Sequence, residues 1–202
     1  MRTNVQTEIE IRLRALLINH LNKQLPKIEK ASKQILDSAI KLSPTYQSLR
    51  STNGQLRQEL GIVRPEIIDQ LMQVWVDSLK ATLTVNRRSL VVTVQAVKEF
   101  SDLIKVAYHP LASYQTDKGA TVEFMRWLLF VGTQPVVEDY YVKKANSFER
   151  QYSRTDSLIM RAKHGSFYRI PSEHAGTQDN NFITRVCDQI GDEILQTIKR
   201  SL

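Results

Sequence analysis

The sequence predicts an α+β fold in a single domain, and three observations lead there. Apolar residues recur at helical spacing between Thr7 and Leu42 and again from Asn181 to the end of the chain. The period drops from 3.6 to 2 between residues 81 and 97, and no Pro/Gly/Ser-rich linker or internal repeat divides the chain. The expected division is a long N-terminal helix over 1–42, a loop and short helix over 43–64, a helix plus β core over 65–180, and a C-terminal helix over 181–202.

In the first segment Ile11, Leu17, Leu21, Leu25, Ile28, Ile35, Ala39 and Leu42 fall mostly at steps of three, four or seven, the mark of one amphipathic helix or two with a break. Pro26 lacks an N–H and crowds the preceding turn, so a kink or a fresh helix start is expected near residues 24–27. Ser43-Pro44 should end it, and the stretch from Tyr46 to Gly61 reads as a loop with a brief helical turn and Gly61 as C-cap. Pro65-Glu66 opens a second helix over 65–80, with Ile67, Ile68, Leu71, Met72, Trp75 and Leu79 as its stripe.

Residues 81–85 and 89–97 alternate around the polar tip Asn86-Arg87-Arg88, which predicts an antiparallel hairpin. Glu99 to Tyr108 is apolar and open to either structure, and Pro110 to Ala120 is a polar connector. Thr121 to Val131 reads as a short buried helix ending at Gly132, with Trp127 as a core aromatic. Residues 136–143, 157–161 and 167–170 are strand candidates, and Asn180 or Asn181 can cap the last helix, whose stripe includes Ile183, Val186, Cys187, Ile190, Ile194 and Ile198.

With 202 residues, 42% of them hydrophobic and 24% charged, the composition is that of an ordinary globular protein, not a disordered or fibrous one. The longest apolar runs, Leu128–Gly132 and Leu90–Val92, fall far short of the ~20 residues of a membrane span. The N-terminus carries no apolar signal segment, so a cytoplasmic start and no membrane partner are expected. The formal net charge of +7 is concentrated at one end, because residues 1–50 hold nine basic groups against four acidic ones. Lys23, Lys27, Lys30, Lys33 and Lys41 recur near helical spacing, making either a solvated helix face or a face turned to a phosphate backbone.

Chemistry is harder to find. The seven glycines stand apart, so no phosphate-binding loop forms, and Cys187 sits in a periodic apolar stretch as a packing residue. His164 and His174 have only Glu173 and Asp179 as companions, and adjacent Glu138 and Asp139 point to opposite faces of a strand, so no metal site, cofactor or catalytic residue is expected. Trp127, Tyr140, Tyr141, Tyr152 and Phe167 are expected to fill core and subunit contacts instead of a ligand box.

Within this pattern the long basic helix, Ser43-Pro44 and the segment Asn53-Gly54-Gln55-Leu56-Arg57-Gln58-Glu59-Leu60-Gly61, followed by a helix and a hairpin, resemble the tail-completion or neck proteins of tailed bacteriophages. The second half adds Trp127-Leu128-Leu129-x-x-Gly132, Ser153-Arg154-Thr155, Ile159-Met160, Phe167 to Pro171, Ala175-Gly176-Thr177 and Asp179 to Arg185, which look like a virion protein of contractile-tailed phages. The resemblance spans about residues 43 to 190, and its motif positions here are Gly54, Leu56, Arg57, Trp127, Gly132, Pro171, Asn181 and Arg185. Ser51-Thr52 stands where an acidic residue and threonine usually lead into the Gly-x-Leu-Arg motif, which leaves the ring position open between completion and terminator.

The resemblance implies a non-enzymatic structural subunit that forms a ring of its own copies, six ahead of twelve, in the virion neck after assembly in the host cytoplasm. Its partners would be the portal or connector proteins on one side and the tail terminator or tail tube on the other, with genomic DNA passing through without sequence specificity. Arg87 and Arg88 at the hairpin tip would then face the channel or a neighbouring ring. The alternative from the residues themselves is a non-enzymatic nucleic-acid-binding accessory protein that uses the basic first helix.

Overall fold

The computed structural model describes residues 4–95, 100–116 and 119–201. Helix α1 (Asn4–Leu42) is 39 residues long, or ~58 Å at 1.5 Å per residue. Its C-terminal half supplies Ile28, Ser32, Leu36 and Ile40, each 0% exposed and spaced by four, to the core. Pro26 lies inside the helix and no second helix starts there. Asn22, whose carbonyl loses its partner to the proline, is exposed, so water can take that bond and the expected break is not needed.

After Leu42 the chain turns sharply but stays helical, which corrects the expected loop. Ser43 Oγ accepts the Tyr46 N–H at 3.2 Å and donates to the Ile40 carbonyl at 2.7 Å, closing one helix and opening the next. With Pro44 at its first turn, α2 (Pro44–Arg50) forms at once. Helix α3 (Gln55–Glu59) follows, with the Leu56 N–H donating to Ser48 Oγ at 2.9 Å. It ends as the glycine predicts: Gly61 has φ +65°, its N–H donates to Gln58 O, and the Ile62 N–H donates to Arg57 O at 3.0 Å, a Schellman close.

Helix α4 (Glu66–Ser78) buries Ile68, Leu71, Met72, Trp75 and Val76 on the expected face. Strands β1 (Lys80–Val85) and β2 (Leu90–Gln95) pair antiparallel, Thr82 opposite Thr93 and Leu83 opposite Val92; the expected strand residues 96–97 lie outside the described residues. Helix α5 (Phe100–Ala107) settles the ambiguous stretch as helix. Beyond a 3₁₀ turn at Pro110–Ala112, the polar connector forms β3 (Tyr114–Gln115), which pairs with β4 (Thr121–Val122). The helix expected from Thr121 therefore starts later, as α6 (Phe124–Arg126), and runs on as a π-helical turn, Trp127–Val131.

Strand β5 (Val137–Lys144) pairs with β6 (Leu158–Tyr168), so the two short strands expected at 157–161 and 167–170 are one. A bulge absorbs the register shift between Glu138 and Tyr140: Asp139 adopts φ +56° and its Oδ1 accepts the Gly165 N–H at 2.8 Å. Both Glu138 and Asp139 are exposed. Helix α7 (Phe182–Ser201) then returns along α1, capped by Asn181, whose Oδ1 accepts the Ile183 and Thr184 N–H groups at 3.0 and 3.1 Å.

The core gathers the C-terminal half of α1 with α2, α3, α4, the π turn and α7, and Cys187 packs in it as expected. Its central aromatic is Trp75, 0% exposed; Trp127 only covers the edge and is partly buried. Replacing Trp75 with Ala should cost about 3–5 kcal/mol in chemical denaturation, with Trp127→Ala distinctly milder; equal losses would contradict this placement.

Candidate assembly surface

The basic hairpin is laid along α1 and held at both ends. Near its base Glu29 Oε2 accepts the Ala81 N–H at 3.1 Å, and Lys80 Nζ lies 3.7 Å from Glu29 Oε1. Hydrogen bonding from Lys33 and then from the Ala81 amide holds the Glu29 carboxyl below its usual range. At the tip, Arg14 donates to the Arg87 carbonyl at 3.0 Å and to the Asn86 carbonyl. Since Glu29 marks the base and Arg14 the tip, the hairpin runs toward the start of α1. Arg87 and Arg88 are both exposed there, beside the N-terminal part of the helix.

Residues 4–13 of α1 extend past that last anchor by ten positions, or ~15 Å. This arm is apolar on more than one side: Val5 (65% exposed), Ile9 (59%), Ile11 (63%) and Leu13 (56%) stand uncovered, as do Leu16 (67%) and Leu17 (46%) beside the anchor. Ile11 and Leu17, expected on the buried stripe, are instead 63% and 46% exposed. A helix apolar on several sides is ordinarily one that other protein surrounds.

Farther along α1 the outward line changes character. Lys23, Lys27 and Lys30 are exposed and form no ion pair among the described residues, whereas Lys33 and Lys41 pair with Glu29 at 2.9 Å and Asp37 at 2.7 Å. The five-lysine face thus shortens to three.

The motif positions occupy joints of the scaffold. A Cβ on Gly54 would strike the Ser48 carbonyl, and Leu56 is fully buried beneath it. Arg57 Nε donates to the Ile62 carbonyl at 3.2 Å. Gly132, at φ +63°, donates to the Gly176 carbonyl at 2.8 Å, and Gly176 is packed so closely on Leu128 that only glycine fits. The Pro171 carbonyl accepts from His174 and Ala175, both at 2.9 Å. Asn181 caps α7, and Arg185 Nη1 lies 3.4 Å from Asn180 Oδ1.

On the outer side of β5 and β6 a second surface is fastened by Glu149. Its carboxylate accepts the Asn146 N–H at 3.1 Å and meets Lys143 at 3.0 Å and Arg161 at 2.8 Å, while Asn146 Oδ1 accepts the Glu149 N–H at 2.9 Å. The Asn146 amide first, then the two cations, lower its pKa to about 2. The clamp holds a 3₁₀ turn, Glu149–Tyr152, from which Phe148 and Tyr152 project, 70% and 66% exposed, edge to face at 5.9 Å between ring centres. Tyr141 and Phe167 are exposed as well, so these aromatics do not fill the core.

The two histidines, His164 in β6 and His174 in the turn after Pro171, sit in different surroundings. His174 is buried with Nδ1 3.1 Å from Thr45 Oγ1, and burial lowers its pKa; His164 is on the surface, 3.2 Å from Asp139. Among the described residues no three His, Cys, Asp or Glu side chains converge as metal ligands, and no helix is long and apolar enough to cross a membrane.

Comparison with protein-family models, with characterised proteins and with solved structures finds no match.

Two outcomes follow from these anchors. Because the folded-state pKa of Glu149 lies below its unfolded value, the stability it adds is present above about pH 4.5 and is lost as pH falls toward about 2. Glu149→Gln should therefore flatten the stability profile across that window, measured by urea midpoints, and an unchanged slope would contradict the clamp. Arg14→Ala should speed amide exchange at residues 86–89 while shifting global stability by no more than about 1 kcal/mol; unchanged exchange would mean the tip holds itself.

Proposed function

We propose that this chain is a non-enzymatic structural subunit of a phage neck, assembled as a ring of its own copies between the head connector and the tail, around the path of the DNA. The observation that carries the reading is the arm of α1: a chain that works alone has little reason to hold six large aliphatic side chains 46–67% exposed within thirteen residues. The resemblance supplies the kind of assembly, and the placement of its motif glycines and caps at joints suits a scaffold whose task is shape. Six copies are favoured over twelve, with portal or connector proteins above, tail terminator or tail tube below, and assembly in the host cytoplasm. Arg87 and Arg88, held out by the Arg14 anchor, then meet either the DNA channel or the adjoining ring.

One observation favours a second reading. Lys23, Lys27 and Lys30 form an exposed basic row without ion pairs among the described residues, as an accessory protein bound to a phosphate backbone would need. A nonsense codon early in the gene separates the two. The neck reading expects filled heads and free tails that fail to join, restored by supplying the protein in trans. Joined particles at normal yield, together with salt-dependent duplex binding lost in a triple Lys→Glu variant of the row, would transfer the assignment to the accessory role.

A further inference from the structure

We propose that the α1 arm of one copy docks on the aromatic Phe148/Tyr152 surface of a second copy of this chain, making a head-to-tail contact. The inference rests on the ring reading for its closure and names the two faces that reading leaves unassigned. The chain carries two exposed apolar surfaces of different shape: a projecting aliphatic rod, and an edge-to-face aromatic pair at a turn locked by the Glu149 clamp. Two unlike patches on one chain are what a heterologous contact requires, and a heterologous contact closes into a ring when its rotation permits.

Size and chemistry point the same way. Six large aliphatic side chains, 46–67% exposed within thirteen residues, are more than the singly scattered apolar residues ordinary on a lone protein's surface. The arm carries Glu8 and Glu10 against Arg12 and Arg14, a balance unlike the cationic face of helices that lie on anionic membranes. Its bare aliphatic sides offer nothing to a phosphate backbone. Phe148 and Tyr152 are the residue types that anchor protein contacts, and the clamp presents them without a mobile loop to be ordered on binding.

The test uses the full chain and two double variants at exposed positions: Ile9→Glu with Leu16→Glu on the arm, and Phe148→Ser with Tyr152→Ser on the patch. Circular dichroism should match the parent, since none of the four side chains is buried. By light scattering after size exclusion, the parent should run above a dimer, each double variant should run as one chain, and mixing the two should double the mass and stop there. That mixture retains one intact arm and one intact patch per pair. A parent that stays monomeric at its highest soluble concentration, a patch variant that assembles like the parent, or a mixture that remains single chains would each overturn the pairing. If virions join normally without the protein, the neck reading fails while these masses still decide the contact.

Discussion

Helix α1 is too long for the chain that must cover it. A compact chain of 202 residues is a body ~43 Å across by the usual scaling of radius of gyration, whereas 39 helical residues reach ~58 Å. Some part of the helix has to project, and the arrangement of the other elements decides which. Because α4 and α7 pack into the core with Ile28, Leu36 and Ile40, each 0% exposed, and the hairpin reaches back along α1 only as far as Arg14, the projection falls at the N-terminus. Core, hairpin and arm are therefore consequences of one geometric excess.

Polar groups fix how the remaining elements meet that rod. Ser43 turns α1 into α2, Glu29 and Arg14 dock the hairpin along it, and Asn181 starts the helix that packs against it. A further joint sits where Arg154 Nε donates to the Gly61 carbonyl at 3.1 Å and its guanidinium lies 3.9 Å from the Tyr114 ring centre. Tyr168, buried and beside Glu59, is pushed up in pKa and remains a phenol that donates to Glu59 at 2.9 Å. The Glu29, Arg14, Arg154 and Tyr168 contacts link elements far apart in sequence, so the small two-stranded sheets, marginal on their own, are held by side-chain hydrogen bonds to distant elements.

Periodic elements were legible in the sequence. The stripe of α4, the alternation of the hairpin and the last helix needed only local spacing, and Gly61 and Asn181 marked ends that local chemistry dictates. What failed depended on distant partners or on competing local signals. Pro26 is not among the failures: of one helix or two with a break, the chain has one, and the exposed Asn22 carbonyl can be satisfied by water. The strand candidates at 157–161 and 167–170 joined because Asp139, in sequence only one of two adjacent acids, took up the register shift through Gly165. Trp127 and Trp75 have equal apolar weight in sequence, and only packing ranks them. The arm was half visible: Val5, Ile9, Leu13 and Leu16 lie at steps of four and three, yet spacing shows that a face is apolar and cannot show that nothing in the same chain covers it. The Glu149 clamp left the faintest trace, an acid among Lys143, Arg150 and Arg161.

Catalysis concentrates reactive side chains in a cleft, and such side chains have recognisable types and spacings. The assembly subunit proposed above needs instead apolar surface in the wrong place for a solitary protein, and there the glycines and caps would hold that surface at a fixed angle. Gly54 and Gly176 are required because backbone from another segment passes where a Cβ would be. Exposed aliphatic area on a projecting helix carries an aggregation hazard unless something meets it. Keeping it at one end of a rigid rod, with charged residues interleaved at Glu8, Glu10, Arg12 and Arg14, limits that hazard to a contact of defined direction. A hairpin pinned only as far as Arg14 leaves the arm free to enter such a contact while α1 transmits its orientation to the core.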